Sequence, residues 1–191
     1  MPTIDTPKIL SDPGFLFAAP LGSPLPANTA AGSKFTDAWP AAYIPLGATT
    51  EGSTFSDSTT IEPIRAAEFF NPIKYVTTEG AQSIAFALMD FTLQRYRMAR
   101  NGGLSALVPT SGTGTTAVYE FEPVDPGNEV RIMIGWESLD GTMRLFGRQC
   151  IQGGEVSTSF GKAPAVASIP CTFNFERPIG AKPYKFVSTR G

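Results

Sequence analysis

Apolar and polar residues alternate with a period of two over several stretches of this chain, the pattern of strands with one buried face. The run from Glu129 to Glu137 is the cleanest. Val130, Ile132, Ile134 and Trp136 fall on one side, and Glu129, Arg131, Met133 and Glu137 on the other. Ser83 to Met89 brings Ile84, Phe86 and Leu88 together, and a strand expected over Val166–Arg177 alternates Cys171, Phe173 and Phe175 with Thr172, Asn174 and Glu176. Ala117 to Glu122 alternates too, with Val118 in register with Glu120 and Glu122. Shorter β-prone stretches are Gly14–Ala19, Ile73–Glu79, Met143–Ile151 and Tyr184–Val187. Asp140-Gly141 predicts a tight type I′ hairpin between two of these runs.

One segment breaks the β pattern. Asp90 is a suitable N-cap, Phe91 to Arg100 a helix body, and Asn101-Gly102-Gly103 a stop, so a single helix is expected within 90–101. Its apolar face is expected to hold Phe91, Leu93 and Tyr96 against a sheet, with the arginines outside. Gly47 to Thr60 has no large apolar residue except Phe55. It reads as a flexible surface loop, or as a protruding hairpin that orders against a neighbouring copy. The β-prone flanks Ser53-Thr54-Phe55-Ser56 and Thr59-Thr60-Ile61-Glu62 favour the hairpin.

Composition supports this outline. The chain has 191 residues and is 42% apolar, enough for one domain with a substantial core. Its 19 glycines and 17 prolines imply many turns and short elements, as in all-β folds. Residues 1–34 are rich in Pro, Gly, Ala and Ser and read as an arm; residues 35–176 form the β body and 177–191 a second arm. The formal charge of −2 argues against a surface that grips nucleic acid. The N-terminus lacks the pattern of a signal peptide, and no apolar run is long enough to span a bilayer, so a soluble chain without membrane insertion is expected.

Chemistry is sparse. There is no histidine, which excludes Ser-His and Cys-His nucleophile pairs and a His/Cys zinc site within one chain. Cys150 and Cys171 read as buried thiols, with a disulfide left open. Ser111-Gly112-Thr113-Gly114 lacks the lysine of a phosphate loop and reads as a turn. Glu120, Glu122, Glu129 and Glu137 are solvated surface carboxylates or, if a sheet closes a ring, the lining of a channel. Arg144, Phe146 and Arg148 suggest a mixed sheet face with charges paired to glutamates rather than a base-stacking platform. No catalytic residue, cofactor or metal is expected.

The order of several soft motifs carries a resemblance. These are GFLFAAPLGSPLP from Gly14, the run from Trp39 to Ser56, TIEPIR from Thr60, the strand–helix unit Ser83–Gly103 and ASIPCTFNF from Ala167. Together they resemble the major tail proteins, or tail tube proteins, of long-tailed non-contractile bacteriophages, particularly those of actinobacterial hosts. The resemblance implies a β-sandwich or half-barrel with one helix, a long protruding loop and terminal arms. It implies hexameric rings whose inner sheets join into a barrel and which stack into a tube, with DNA passing through without specific binding. The 47–60 loop, with Glu51, Thr54, Phe55, Ser56 and Asp57, would reach the next ring. Tape measure and terminator proteins would be further partners, and the assembled chain would sit in the virion tail after synthesis in the host cytoplasm. The rival expectations are a monomeric β-sandwich binding module, for example for carbohydrate, and a single-ring capsid or tail accessory protein.

Overall fold

The computed structural model describes residues 13–158 and 167–190. The expectations for residues 1–12, for the start of a strand at Val166 and for Gly191 lie outside the described residues. Strands β1 (Gly14–Pro20), β2 (Ala30–Ala31), β3 (Lys34–Phe35), β4 (Ile44–Pro45), β5 (Thr49–Ile64) and β6 (Lys74–Leu88) precede helix α1 (Leu93–Ala99). After it come β7 (Ile132–Ser138), β8 (Met143–Gln152), β9 (Ile169–Phe175) and β10 (Tyr184–Ser188). The fold is therefore mostly β with one α-helix among the described residues.

Eight strands form one antiparallel sheet in the order β4-β1-β7-β8-β9-β6-β5, with β10 also on β8. β8 shares its second edge between two partners, β10 along Met143–Gly147 and β9 along Cys150–Gln152. The change of partner falls at a bulge. Ile132 faces Cys150 while Ile134 faces Gly147, so β8 carries one residue more than β7 over this stretch. The extra residue lets Leu145 and Cys150, which simple alternation would put on opposite faces, both enter the core.

The core lies on one face of the sheet and draws on β1, β6, β7, β8 and β9, including Leu16, Ile84, Phe86, Leu88, Ile134, Leu145 and Phe173. Four strand spacings of about 4.8 Å separate β5 from β7 in this order. Yet Phe55 and Trp136 line the same small cavity, so the sheet curls over its own core. The opposite face is covered where β1, β7 and β8 meet. Trp39 stacks on Phe17 at 4.3 Å between ring centres and lies beside Phe146 and Tyr43. Gly135 makes room for it, since a Cβ there would lie 2.4 Å from the Trp39 ring.

Several elements differ from expectation. Of the two readings for 47–60 the hairpin is the nearer, but the segment from Thr49 onward is one strand that runs to Ile64 and pairs with β6 instead of folding back on itself. Its sequence shows no alternation because both faces of its outer part meet water. The two strands expected within Ile73–Met89 are one continuous strand of 15 residues. Ala117–Glu122 is not a strand: a single bridge joins Ser111 to Val118, and Val118 and Tyr119 stay exposed because no sheet edge takes them up. The Asp140-Gly141 hairpin forms, but only Gly141 has positive φ, which rules out type I′. Instead the Asp140 carboxylate accepts from the Ser138 hydroxyl and from both the N–H and hydroxyl of Thr142.

The helix is shorter than expected. Thr92, not Asp90, is the N-cap, its hydroxyl accepting from the Arg95 N–H, and Asn101 ends the helix at a φ of 57°. Met98 and Ala99 are its buried residues. Tyr96 is half-buried and packs against the core, Leu93 is half-buried and Phe91 is exposed. A helix of two turns touches the sheet mainly through one end, so adjacent residues are buried rather than a stripe.

Candidate functional site

The feature that no monomer core requires is the outer half of the β5–β6 hairpin. Near the sheet, β6 is flanked by β9 along Ser83–Leu88 and its inward side chains are buried. From Ser58 to Ile64 and from Lys74 to Ala81 only the two strands pair with each other among the described residues, and every residue is exposed. Seven residues of strand reach about 23 Å at ~3.3 Å per residue. A bulge at Thr78, between the pairs Thr60–Glu79 and Ile61–Thr77, divides this arm. Pro63 sits within it, tolerated because β5 is an edge strand.

The arm ends in a turn region at 65–73, ordered in part by the Phe69 N–H donating to Ala66 and the Ile73 N–H donating to Ile64. It presents Phe69, Phe70 and Ile73 to water, with Ile61, Ile64 and Tyr75 exposed behind them. Phe70 is exposed throughout and Phe69 is 64% exposed. A two-stranded ribbon with no covered face is marginal by itself, and an apolar cluster on a projecting arm marks a contact surface.

The residues expected to carry the inter-ring loop lie nearer the sheet. Glu51, Thr54, Ser56 and Asp57 are exposed on β5, but Phe55 turns inward and packs on Phe175, Tyr184 and Phe186. Asp57 marks where the anchored part ends. Its carboxylate accepts from the Tyr184 hydroxyl at 2.6 Å and from the Gln82 amide at 2.8 Å. The Tyr184 bond and then the Gln82 bond hold Asp57 below the ordinary carboxylate range, and Asp57 in turn raises Tyr184.

The four glutamates do not share one strand face. Glu120 and Glu122 lie in the irregular segment before β7 and are exposed. Glu129 precedes β7, accepts from the Gly127 N–H, which lowers its pKa, and lies 3.7 Å from Arg131. Glu137 is on β7 and is committed to Arg144 at 3.0 Å and to the Trp39 indole N–H.

That last contact is part of a cluster in which Arg144 pairs with a glutamate as expected, but which also takes in Asp37, Trp39 and Phe35, residues that sequence reading did not connect to it. The Arg144 side chain, 2% exposed, donates to Glu137 and to the Asp37 carboxylate at 2.9 Å, and also to the Asp37 backbone carbonyl. Its guanidinium lies 4.6 Å from the Phe35 ring centre. Burial pushes the Asp37 carboxyl up, but the Asn28 N–H and Arg144 more than offset this and hold it below the ordinary range. The cluster clamps the segment around Asp37 onto the sheet. Close by, Arg190 pairs with Asp140 and the Thr189 hydroxyl donates to the Ser33 carbonyl, fixing the C-terminal strand to the same corner. Cys150 and Cys171 are free and buried, and burial pushes both thiols up to about 12.

Two grooves flank the clamp on the outer face. One, of about 430 Å³, is lined by Leu21, Leu25, Met133, Arg148, Pro178 and Ala181. The other, of about 600 Å³, runs past Pro20, Ala41, Ile44, Leu104 and the paired Glu129 and Arg131. Among the described residues no three acidic or cysteine side chains converge as a metal would need, and no helix is long and apolar enough to cross a membrane. No protein-family model matches the chain, and no curated protein matches it in sequence.

Proposed function

We propose that the chain is a structural subunit that assembles with copies of itself into stacked hexameric rings, forming the tail tube of a long-tailed non-contractile bacteriophage. In this reading it works in the virion tail as a conduit for DNA, beside tape measure and terminator proteins, with no catalytic activity. The observation that carries the reading is the projecting arm of β5 and β6, whose apolar residues are exposed and whose ribbon has no covering layer among the described residues. Ring formation and stacking would supply that layer. The edge of β5, 16 residues long and unpaired among the described residues, also fits: an unpaired edge invites aggregation unless another chain covers it. The slight negative charge suits a wall that DNA must pass without sticking.

The test is electron microscopy of concentrated purified protein, beside a variant in which residues 60–79 are replaced by Asn-Gly. That turn joins Thr59 to Gly80, which already pair. Tubes from the parent and folded, non-extending subunits from the variant are expected. Single rings would indicate an accessory protein, and a parent that stays monomeric at high concentration would overturn the reading.

A further inference from the structure

We infer that the hairpin tip of one copy seats in the outer-face groove beside Arg148 of a second copy, Phe69 and Phe70 filling the groove and Glu68 meeting the Arg148 guanidinium. This contact presupposes the self-assembly reading above and names the two surfaces that meet.

The groove has an unmet need. The Nε of Arg148 is buried and has no hydrogen-bond partner, and the side chain makes no ion pair among the described residues. A buried guanidinium N–H without an acceptor is costly. Gln149 beside it is turned toward Glu176, to which its amide donates at 2.7 Å. The groove around Arg148 is mostly apolar, lined by Leu21, Leu25, Met133, Pro178 and Ala181 with Ser23 and Gln149. What fits is an acidic group directly joined to large apolar side chains.

The tip has that chemistry. Glu68, Phe69 and Phe70 are consecutive and exposed, and Glu68 makes no ion pair among the described residues. The competing recesses fit less well. In the groove at Ile44 and Leu104 the charges, Glu129 and Arg131, already pair with each other. The cavity between Phe55 and Trp136 is smaller, about 270 Å³, and offers no charged residue to Glu68. Tip and groove are different surfaces of one chain, so where the contact is not reciprocated it is head-to-tail, and its repetition builds a ring or a filament.

Charge exchange tests the contact. Glu68→Lys alone should raise the concentration needed for assembly about tenfold or more, as losing one close interfacial ion pair does. Arg148→Glu should do the same, and the double variant should recover assembly. Urea midpoints measured alongside separate misfolding of Arg148→Glu from loss of contact, and Glu68→Lys, at an exposed position, should leave the midpoint unchanged. As an independent readout, Phe70→Cys protein is mixed with Ala181→Cys protein under oxidation. A disulfide joining position 70 of one copy to position 181 of another, identified by mass spectrometry of the digested mixture, should form faster than the symmetric 70–70 and 181–181 links that either sample gives alone, and Cys150 and Cys171 are buried and stay out of the exchange. Tubes that form equally well with Glu68→Lys, with no excess of the 70–181 link in the mixture, would overturn the contact and leave self-assembly standing. Parent protein that never assembles would remove both. Tip variants that assemble normally but no longer bind phosphatidylcholine–phosphatidylglycerol vesicles would assign the tip to a membrane instead.

Discussion

The β5–β6 hairpin is two regions built from one continuous ladder. Between Ser53 and Asp57, paired with Gln82 to Phe86, it is part of the sheet: Ile84 and Phe86 are buried, and Phe55 packs on three other rings. Beyond Asp57 the same two strands keep pairing to Ile64 and Lys74, yet nothing is buried. Backbone hydrogen bonding is thus common to both halves, and packing is what differs. Because the net worth of a hydrogen bond exchanged with water is small, the inner half holds its shape by burial and the outer half is left to whatever covers it. Apolar side chains occur in both, so apolar content alone does not distinguish a core strand from a contact arm.

The sharpest way to break this comparison is to truncate one aromatic in each half. Phe86 stacks with Phe173 at 5.9 Å between ring centres, inside the core. Phe86→Ala should cost about 3–5 kcal/mol in urea unfolding. Phe70→Ala should change monomer stability by less than about 0.5 kcal/mol, while abolishing any assembly the tip supports. Equal losses from the two substitutions would mean that the arm is packed in the monomer.

Ion pairs allow the same contrast. Arg144 is enclosed, and removing it strands the Asp37 and Glu137 carboxylates; Arg144→Ala should cost about 3 kcal/mol, toward the lower end for breaking a buried pair. Arg131, 33% exposed and paired with Glu176 and Glu129, should cost less than about 1 kcal/mol as Arg131→Ala. Within the helix, Met98→Ala should cost about 2–5 kcal/mol and half-buried Leu93→Ala clearly less. The reverse order would restore the helix face expected from sequence.

What could be read from the chain follows the same division. Alternation in β9 was legible because only one of its faces is buried, and the place of the Asp140-Gly141 turn, though not its type, because its chemistry is local; β7 alternates in sequence even though Met133 and Gly135 on its other face are covered too. The outer half of β5 was not, since a strand solvated on both faces has no period to detect. Residues 117–122 have the period but no partner edge, which alternation cannot reveal. The Arg144–Asp37 contact spans 107 residues and left no local mark. At the tip, the only local signal was turn chemistry at Asn71-Pro72 beside two phenylalanines, which says that the chain reverses there and not that the rings stay in water.

The smallest expected effect lies at the boundary itself, where Asp57 joins β5 to β10 through Tyr184 and to β6 through Gln82. The Asp57 carboxyl titrates below its unfolded value of about 3.9. Its contribution is therefore present above that value and fades as pH falls through the lower folded value. Tyr184 is shifted the other way, so its share is present below the unfolded value of about 10 and is lost as pH rises through the higher folded value. Protection of the Ser58 amide, which faces β6, against hydrogen exchange, corrected for intrinsic rates, should then be flat through neutral pH and fall at both extremes. Asp37, Asp140 and Glu176 are also held below their ordinary values, so acid lowers stability throughout the fold. Asp57→Asn isolates the local part: it should retain the global acid loss, measured by melting, but remove the extra loss of protection at Ser58. Identical Ser58 profiles in parent and variant would mean that the anchored region ends closer to the sheet, at Phe55.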